Sequence, residues 1–316
     1  MGKIQLITGS AHSQIARKIS RHLKIKLTPT RIEHFADGEI YIKVKNKVRG
    51  DDVYIIQTMS SPINDHLMEL LIMIDALKRA SAERINVVCP YLCYSRQERK
   101  DSSREPITSK LVANLITKAG ADRLITVDLH ADAIQGFYDI PVDHFLGYPK
   151  FVELLQKKKY KDLVVVSPDV GGVKRGRKMA GMLKSPLVIV DKRRPRRNRA
   201  EVLTIIGEVK GKTAVIVDDI VDTGGTICGV AKVLKEQGAR GIIICATHAL
   251  LSGEAVKNLK KSVASKIIFT DTLPISKEKM IKKFEIISLA KLLSKVIRRI
   301  HSGRSLGALF TWEKGH

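Results

Sequence analysis

Short apolar runs recur along the chain, at Ile4–Thr8, Val53–Gln57, Ile85–Cys89, Leu124–Asp128, Leu163–Ser167, Leu187–Val190, Thr213–Asp218, Gly241–Thr247 and Lys266–Thr270. Most are continuous rather than alternating, the pattern of strands buried on both faces of a parallel sheet. Between them the period changes. Leu67, Leu70, Leu71 and Ile74 fall at i, i+3, i+4 and i+7, and Ile227, Val230, Ala231 and Leu234 repeat the spacing. That is one face of a helix. Asn64 is the expected N-cap of the first of these helices, Gly238 the expected stop of the second, and Gly120 ends another that runs from about Ile107. Strands alternating with helices predict an α/β fold with helices on both faces of the sheet.

The pattern contains an echo of itself. Strand 85–89, a polar loop, a helix and strand 124–128 resemble strand 163–167, loop, helix and strand 213–218. In both, the later strand ends in Asp and a polar turn and helix follow. The echo predicts two similar domains divided near Gly147–Pro149, which suits 316 residues, since single cores stop growing near ~250–300. No apolar run approaches the ~18 residues of a membrane span, and the first residues lack both the apolar segment of a signal peptide and a myristoylation pattern. A cytoplasmic protein without a membrane anchor is expected. Cys89, Cys93, Cys228 and Cys245 form no CxxC pair and read as buried free thiols.

Charge changes the picture. Lys and Arg number 56 against 32 Asp and Glu, a formal net charge of +24. Such a surplus attracts polyanions, whether nucleic acid, nucleotides or sugar phosphates. The segment Val215-Ile216-Val217-Asp218-Asp219-Ile220-Val221-Asp222-Thr223-Gly224-Gly225-Thr226 narrows the choice. An apolar strand delivers two acids to a glycine turn and a helix. Backbone N–H groups at such a helix start form an anion site, and glycine lets the main chain approach a phosphate. Thr223 and Thr226 add hydroxyl donors. Asp218 and Asp219 can accept hydrogen bonds from sugar hydroxyls at the carboxyl end of the sheet, where open α/β folds bind ligands. A plain strand–turn–helix is the bland alternative.

This segment resembles the PRPP-binding motif of phosphoribosyltransferase-type folds. It implies ribose 5-phosphate, with the phosphate in the loop of Asp222, Thr223, Gly224, Gly225 and Thr226 and the 2- and 3-hydroxyls near Asp218 and Asp219. Four further segments are similar to those of ribose-phosphate pyrophosphokinases: Val127-Asp128-Leu129-His130-Ala131-Asp132-Ala133-Ile134-Gln135-Gly136-Phe137-Tyr138; residues 94–107; Phe35-Ala36-Asp37-Gly38-Glu39; and Asp191-Lys192-Arg193-Arg194-Pro195. The resemblance runs from near residue 4 to about 310. It implies two phosphoribosyltransferase-type domains, each a mainly parallel sheet flanked by helices, at 1–147 and 148–316. The last residues would pack back on the first domain.

The resemblance also implies roles. Phe35, Asp37 and Glu39 would contact adenine, Arg96, Gln97 and His130 would bind ATP, and His130 and Asp169 would lie at Mg²⁺. Lys192 and Arg194 would be the catalytic pair. Relatives of this type form hexamers built from dimers, with the active site at the junction of domains and subunits. They respond to inorganic phosphate as activator and to ADP as inhibitor at a second site, whose positions match Arg49, Arg104, Gln135, Asp143 and Ser305. Asp132, His144 and Gly307 depart from the usual residues there. Each role has a plainer counterpart: His130 as a rim residue, Phe35 as core, 96–104 as a solvated loop, 192–199 as a basic patch. Two rival readings remain at this level. One is a silent relative that modulates an active enzyme. The other is a nucleic-acid-binding regulator that senses PRPP, against which the ATP-type motifs argue.

Overall fold

The computed structural model describes residues 2–193 and 202–309. In chain order the elements are β1 (Ile4–Thr8), α1 (Ser13–Leu23), β2 (Thr30–His34), β3 (Ile40–Val44), β4 (Asp52–Ile56), α2 (Ile63–Arg79), β5 (Arg84–Cys89), α3 (Thr108–Ala119), β6 (Arg123–Val127) and β7 (Val142–Phe145). There follow α4 (Tyr148–Lys157), β8 (Leu163–Ser167), α5 (Val173–Leu183), β9 (Leu187–Arg193), β10 (Val202–Ile206), β11 (Thr213–Val221), α6 (Gly225–Glu236), β12 (Gly241–Ala249), α7 (Ala255–Lys261), β13 (Lys266–Thr270), β14 (Phe284–Ile287) and α8 (Ala290–His301). They fall into two compact units. Unit 1 holds Met1–Phe145, Thr272–Pro274 and Ser288–His316, and unit 2 holds Leu146–Asp271 and Ile275–Ile287.

In unit 1 five parallel strands run in the order β1-β4-β5-β6-β7, and β2 and β3 form a separate antiparallel ribbon. In unit 2 the order is β10-β9-β8-β11-β12-β13-β14, parallel except for β10. The two paths match. Each begins with a strand (β1 or β8) and a helix (α1 or α5), passes through an antiparallel ribbon, and returns as a strand (β4 or β11) paired beside the first. The true correspondence is therefore β1 with β8 and β4 with β11, not the β5 with β8 that the sequence echo suggested. Runs of similar composition had obscured the order in which the strands pair.

Several elements differ from expectation for local reasons. Helix α2 starts at Ile63 after a Pro62 N-cap, so Asn64 lies in its first turn and accepts a hydrogen bond from the Tyr94 hydroxyl instead of capping. Gly120 and Gly238 do stop α3 and α6, with φ of +116° and +84°. Strands β2, β3, β7, β10 and β14 lie outside the predicted set; β2, β3, β7 and β14 are each interrupted by polar residues. Strand β11 runs three residues past Asp218, to Val221.

Alternate residues of the buried strands face opposite sides. On one face of unit 1, Leu6, Tyr54, Ile56, Val88, Ile125, Val127 and Phe145 pack with Ile15, Ala16, Ile19 and Leu23 of α1 and Leu293, Val296, Ile297 and Ile300 of α8. In unit 2, Val164, Val166, Ile216, Ile244 and Phe269 pack with Ile227, Val230, Ala231 and Leu234 of α6 and Leu259 of α7. Cys89, Cys93 and Cys245 are buried and Cys228 half-buried. Burial pushes the Cys93 thiol up to about 12, so it stays protonated at neutral pH.

At the amino end of the unit 1 sheet, Asp52 is buried beneath five donors on four side chains. Arg84 reaches it with Nε (3.1 Å) and Nη2 (2.5 Å), Asn86 Nδ2 donates at 2.8 Å, Tyr54 Oη at 3.0 Å, and His301 Nδ1 lies 2.8 Å away. One carboxylate thus fastens β4 to β5 and to the end of α8.

Candidate active site

The predicted sugar site lies at the carboxyl edge of the unit 2 sheet. Because β11 continues to Val221, Asp218 and Asp219 are strand residues, not the start of a loop. Their side chains are 21% and 8% exposed. The chain then turns: Ser252 N donates to Asp222 O (3.0 Å) and Asn258 Nδ2 to Thr223 O (3.1 Å). Gly224 takes φ +75° and caps α6, a conformation that L side chains resist. Thr223, Gly225 and Thr226 are exposed. The first turn of α6 leaves its N–H groups without acceptors inside the helix, as an anion seat requires.

A second loop, 168–172, joins β8 to α5 on the same edge. Asp169 is exposed. Its Oδ1 accepts from Gly172 N (2.8 Å), and its carbonyl accepts from Ser167 Oγ (2.8 Å). Gly172 is buried, and a Cβ there would stand 2.8 Å from Ser167 Oγ. Three carboxylates therefore gather at this edge. Burial first, then the charge of Asp219, holds the Asp218 carboxyl well above the usual carboxylate range, with Asp169 adding to the rise and Arg175 opposing it. Arg175 was not foreseen. Its Nη1 lies 3.3 Å from Asp218 Oδ1 and 3.2 Å from Asp219 Oδ1. In the sequence it stands among Lys174, Arg177 and Lys178 with nothing to single it out.

Strand β9 brings Lys192 to this edge as backbone, opposite Leu203 of β10. Its pairing with β8 ends at Ser167↔Ile189, so residues 190–193 continue past the last residue of β8. Arg194 lies outside the described residues.

The turn of unit 1 that corresponds to 168–172 follows β1, and the protein's own groups fill it. Buried Glu69 accepts from Ser10 N (2.7 Å) and Ser10 Oγ (2.6 Å), and Gln57 Oε1 accepts from Ala11 N (3.3 Å). A Cβ on Gly9 would come within 2.5 Å of Glu69 Oε1, so only glycine fits beneath that carboxylate.

Unit 1 carries the residues predicted to bind ATP. Phe35, Asp37 and Glu39 occupy the exposed tip of the β2–β3 ribbon, where Phe35 N donates to Glu39 O (2.8 Å) and Glu39 N to Asp37 Oδ1 (3.1 Å). Phe35 is 55% exposed and meets Tyr41 edge-on, so it is not core. Arg96 and Gln97 are exposed in the loop after β5, where Thr108 Oγ1 donates to Gln97 Oε1. His130 is exposed just past β6, in a turn where Asp128 has φ +40°.

That turn also gathers two of the unusual residues. His144 Nε2 accepts from Leu129 N (2.9 Å), and His144 Nδ1 lies 3.8 Å from Asp132 Oδ1. The extra negative charge of Asp132 thus faces an imidazole. Among the predicted regulatory positions, Gln135 Nε2 donates to Asp132 O (3.0 Å), and Asp143 pairs with Arg123 (2.7 Å). Ser305 Oγ accepts from Gly307 N (3.1 Å), and Arg49 and Arg104 are exposed.

Among the described residues no three His, Cys, Asp or Glu side chains form a ready metal cage, and no helix is long and apolar enough to cross a membrane.

Residues 4–120 match the N-terminal domain of ribose phosphate pyrophosphokinase, and residues 172–311 match the phosphoribosyl synthetase-associated domain. A ribose-phosphate pyrophosphokinase from Nostoc sp. is 50% identical over 309 residues, covering 98% of this chain and 94% of the relative. One from Caldanaerobacter subterraneus is also 50% identical, covering 98% of each. The crystal structure of phosphoribosylpyrophosphate synthetase from Mycobacterium smegmatis superposes with a TM-score of 0.90 at 40% identity, over 95% of this chain and 99% of that one. With half its positions shared along nearly its whole length, the chain belongs to the ribose-phosphate pyrophosphokinase family.

Proposed function

We propose that the chain is a ribose-phosphate diphosphokinase, which transfers the β,γ-diphosphate of ATP to the 1-hydroxyl of ribose 5-phosphate and releases AMP. The family membership carries this reading, and the acid pair Asp218–Asp219 on β11, leading into the Gly224-capped start of α6, supports its sugar half. The 5-phosphate sits on the turn of Asp222, Thr223, Gly224, Gly225 and Thr226. Asp218 and Asp219 accept the 2- and 3-hydroxyls. Phe35, Asp37, Glu39, Arg96, Gln97 and His130 bind ATP, with the exposed Phe35 ring available for stacking on adenine.

In the reaction a bond forms from the 1-oxygen of ribose to the β-phosphorus. The bridge from that phosphorus to the α-phosphate breaks, and the hydroxyl proton leaves to solvent. Transfer of this kind depends on alignment and charge neutralisation more than on covalent help. Lys192 and Arg194 supply positive charge where the bridging oxygen becomes negative.

The donors present fit Mg²⁺. Asp169 offers an exposed carboxylate, and Mg²⁺ is held by one or two carboxylates plus substrate phosphates rather than by an all-protein cage. Asp169 is the residue of unit 2 that we assign to it, and His130 is assigned a metal role on the family resemblance alone. When bound, the ion draws charge off the phosphate oxygens.

Mixing the protein with ATP, Mg²⁺ and ribose 5-phosphate is expected to give AMP in step with PRPP. ATP consumed without PRPP would reject the reading. The same reading makes the chain a cytoplasmic homo-oligomer, a hexamer built from dimers, with inorganic phosphate as activator and ADP as inhibitor. Arg49, Arg104, Gln135, Asp143 and Ser305 are assigned to that second site. The rate is expected to rise with phosphate concentration, and a flat response would remove the regulatory assignment.

A further inference from the structure

Arg175 sits in the first turn of α5 with its side chain 16% exposed. The helix is pressed close to the sheet here, for a Cβ on Gly176 would meet Leu187 Cδ1 at 3.0 Å. That proximity carries the guanidinium beneath the carboxyl edge, where Nη1 stands 3.3 Å from Asp218 Oδ1 and 3.2 Å from Asp219 Oδ1. Asp218 Oδ1 also accepts from Asp219 N (2.8 Å). One oxygen of each acid is therefore held, and an acid group so held presents its second oxygen in a fixed direction whether or not it is ionised.

We propose that Arg175 is a positioning residue that sets sugar selectivity: it orients the Asp218 and Asp219 carboxylates as paired acceptors for vicinal hydroxyls. This rests on the sugar site assigned above and adds a residue to it. Nη1 alone bridges the two acids, and the planar guanidinium fixes the directions of its N–H bonds, whereas an ammonium is a freely rotating point of charge. A site built to accept a hydroxyl also rejects a substrate that lacks it, because the acceptor is left unmatched. With its acceptors no longer aimed, the site should lose more with the complete sugar than with one that lacks the 2-hydroxyl.

The test compares ribose 5-phosphate with 2-deoxyribose 5-phosphate, with ATP and Mg²⁺ saturating, in wild type, Arg175→Lys and Arg175→Gln. Wild type is expected to prefer the ribose compound. In Arg175→Gln, kcat/KM for ribose 5-phosphate should fall about 10–100-fold, the range for losing a charge-assisted hydrogen bond. The value for the deoxy compound should fall much less, so the selectivity ratio drops about tenfold or more. Arg175→Lys should lie between, with KM for ATP unchanged in both. A merely structural salt bridge would lower both sugars equally, and an unchanged ratio in both variants overturns the proposal. A wild-type ratio near one overturns it too. Failure of wild type to make PRPP from either sugar would instead sink the underlying function.

Discussion

Replacing Lys192 or Arg194 with Ala is expected to lower kcat by about 10³-fold while ATP affinity changes only a few-fold. The loss follows from where charge appears during the reaction. In the ground state the negative charge lies on the outer phosphate oxygens. As the bridge to AMP breaks, it moves onto the bridging oxygen, and a cation placed for that moment acts on the transition state alone. Arginines in comparable roles are worth about 10³–10⁵ in rate. The architecture suits the task. Residues 190–193 extend β9 beyond Ser167, about 13 Å at ~3.3 Å per residue, paired with β10 in register from Ile189↔Ile206 to Arg193↔Val202. The ribbon thus leaves the same edge that carries Asp169, Asp218 and Asp219. Steady-state kinetics beside a direct ATP-binding titration separates the two effects. A rise in Kd that matches the fall in kcat/KM, with kcat intact, would make the pair ordinary binding residues.

Asp52→Ala is expected to destabilise unit 1 by about 3 kcal/mol, near the low end of the ~3–5 range for breaking a buried ion pair. The partners left behind explain the size. Asn86 is buried and would lose its carboxylate acceptor, while Arg84, 28% exposed, recovers part of its solvation from water. The His301 contact from α8 goes at the same time. Chemical denaturation followed by circular dichroism should show a lower midpoint at unchanged slope. A double-mutant cycle with His301→Ala isolates the share owed to α8, and a loss under ~1 kcal/mol for Asp52→Ala would mean that the cluster contributes little.

The parallel strands were legible because burial on both faces leaves a continuous apolar run, as in Val164-Val165-Val166. The glycine turn was legible because its chemistry is packed into consecutive residues. What the sequence hid depends on neighbours distant along the chain. Asp219 is adjacent to Asp218, but Arg175 is 43 residues away and reaches the pair only because β8 lies beside β11. The extension of β11 to Val221 depends on pairing with β12, where Ile220↔His248 and Val221↔Ala249 continue the ladder through polar sequence. Helix α8 had a readable apolar stripe at Leu293, Val296, Ile297 and Ile300. Periodicity shows that such a helix is buried on one side, not which sheet it covers.

The place of α8 in unit 1 has a consequence during synthesis. The sheet face formed by Tyr54, Ile56, Val88, Ile125 and Phe145 is made early, while the residues that complete its cover begin at Ser288, roughly 140 residues later. At ~5–20 residues per second, a ribosome takes about 7–28 s to cross that gap. The growing polypeptide exposes half-covered apolar surface throughout, a window for chaperone capture or for sticking to another nascent copy. The portion translated first is thus the last to finish folding.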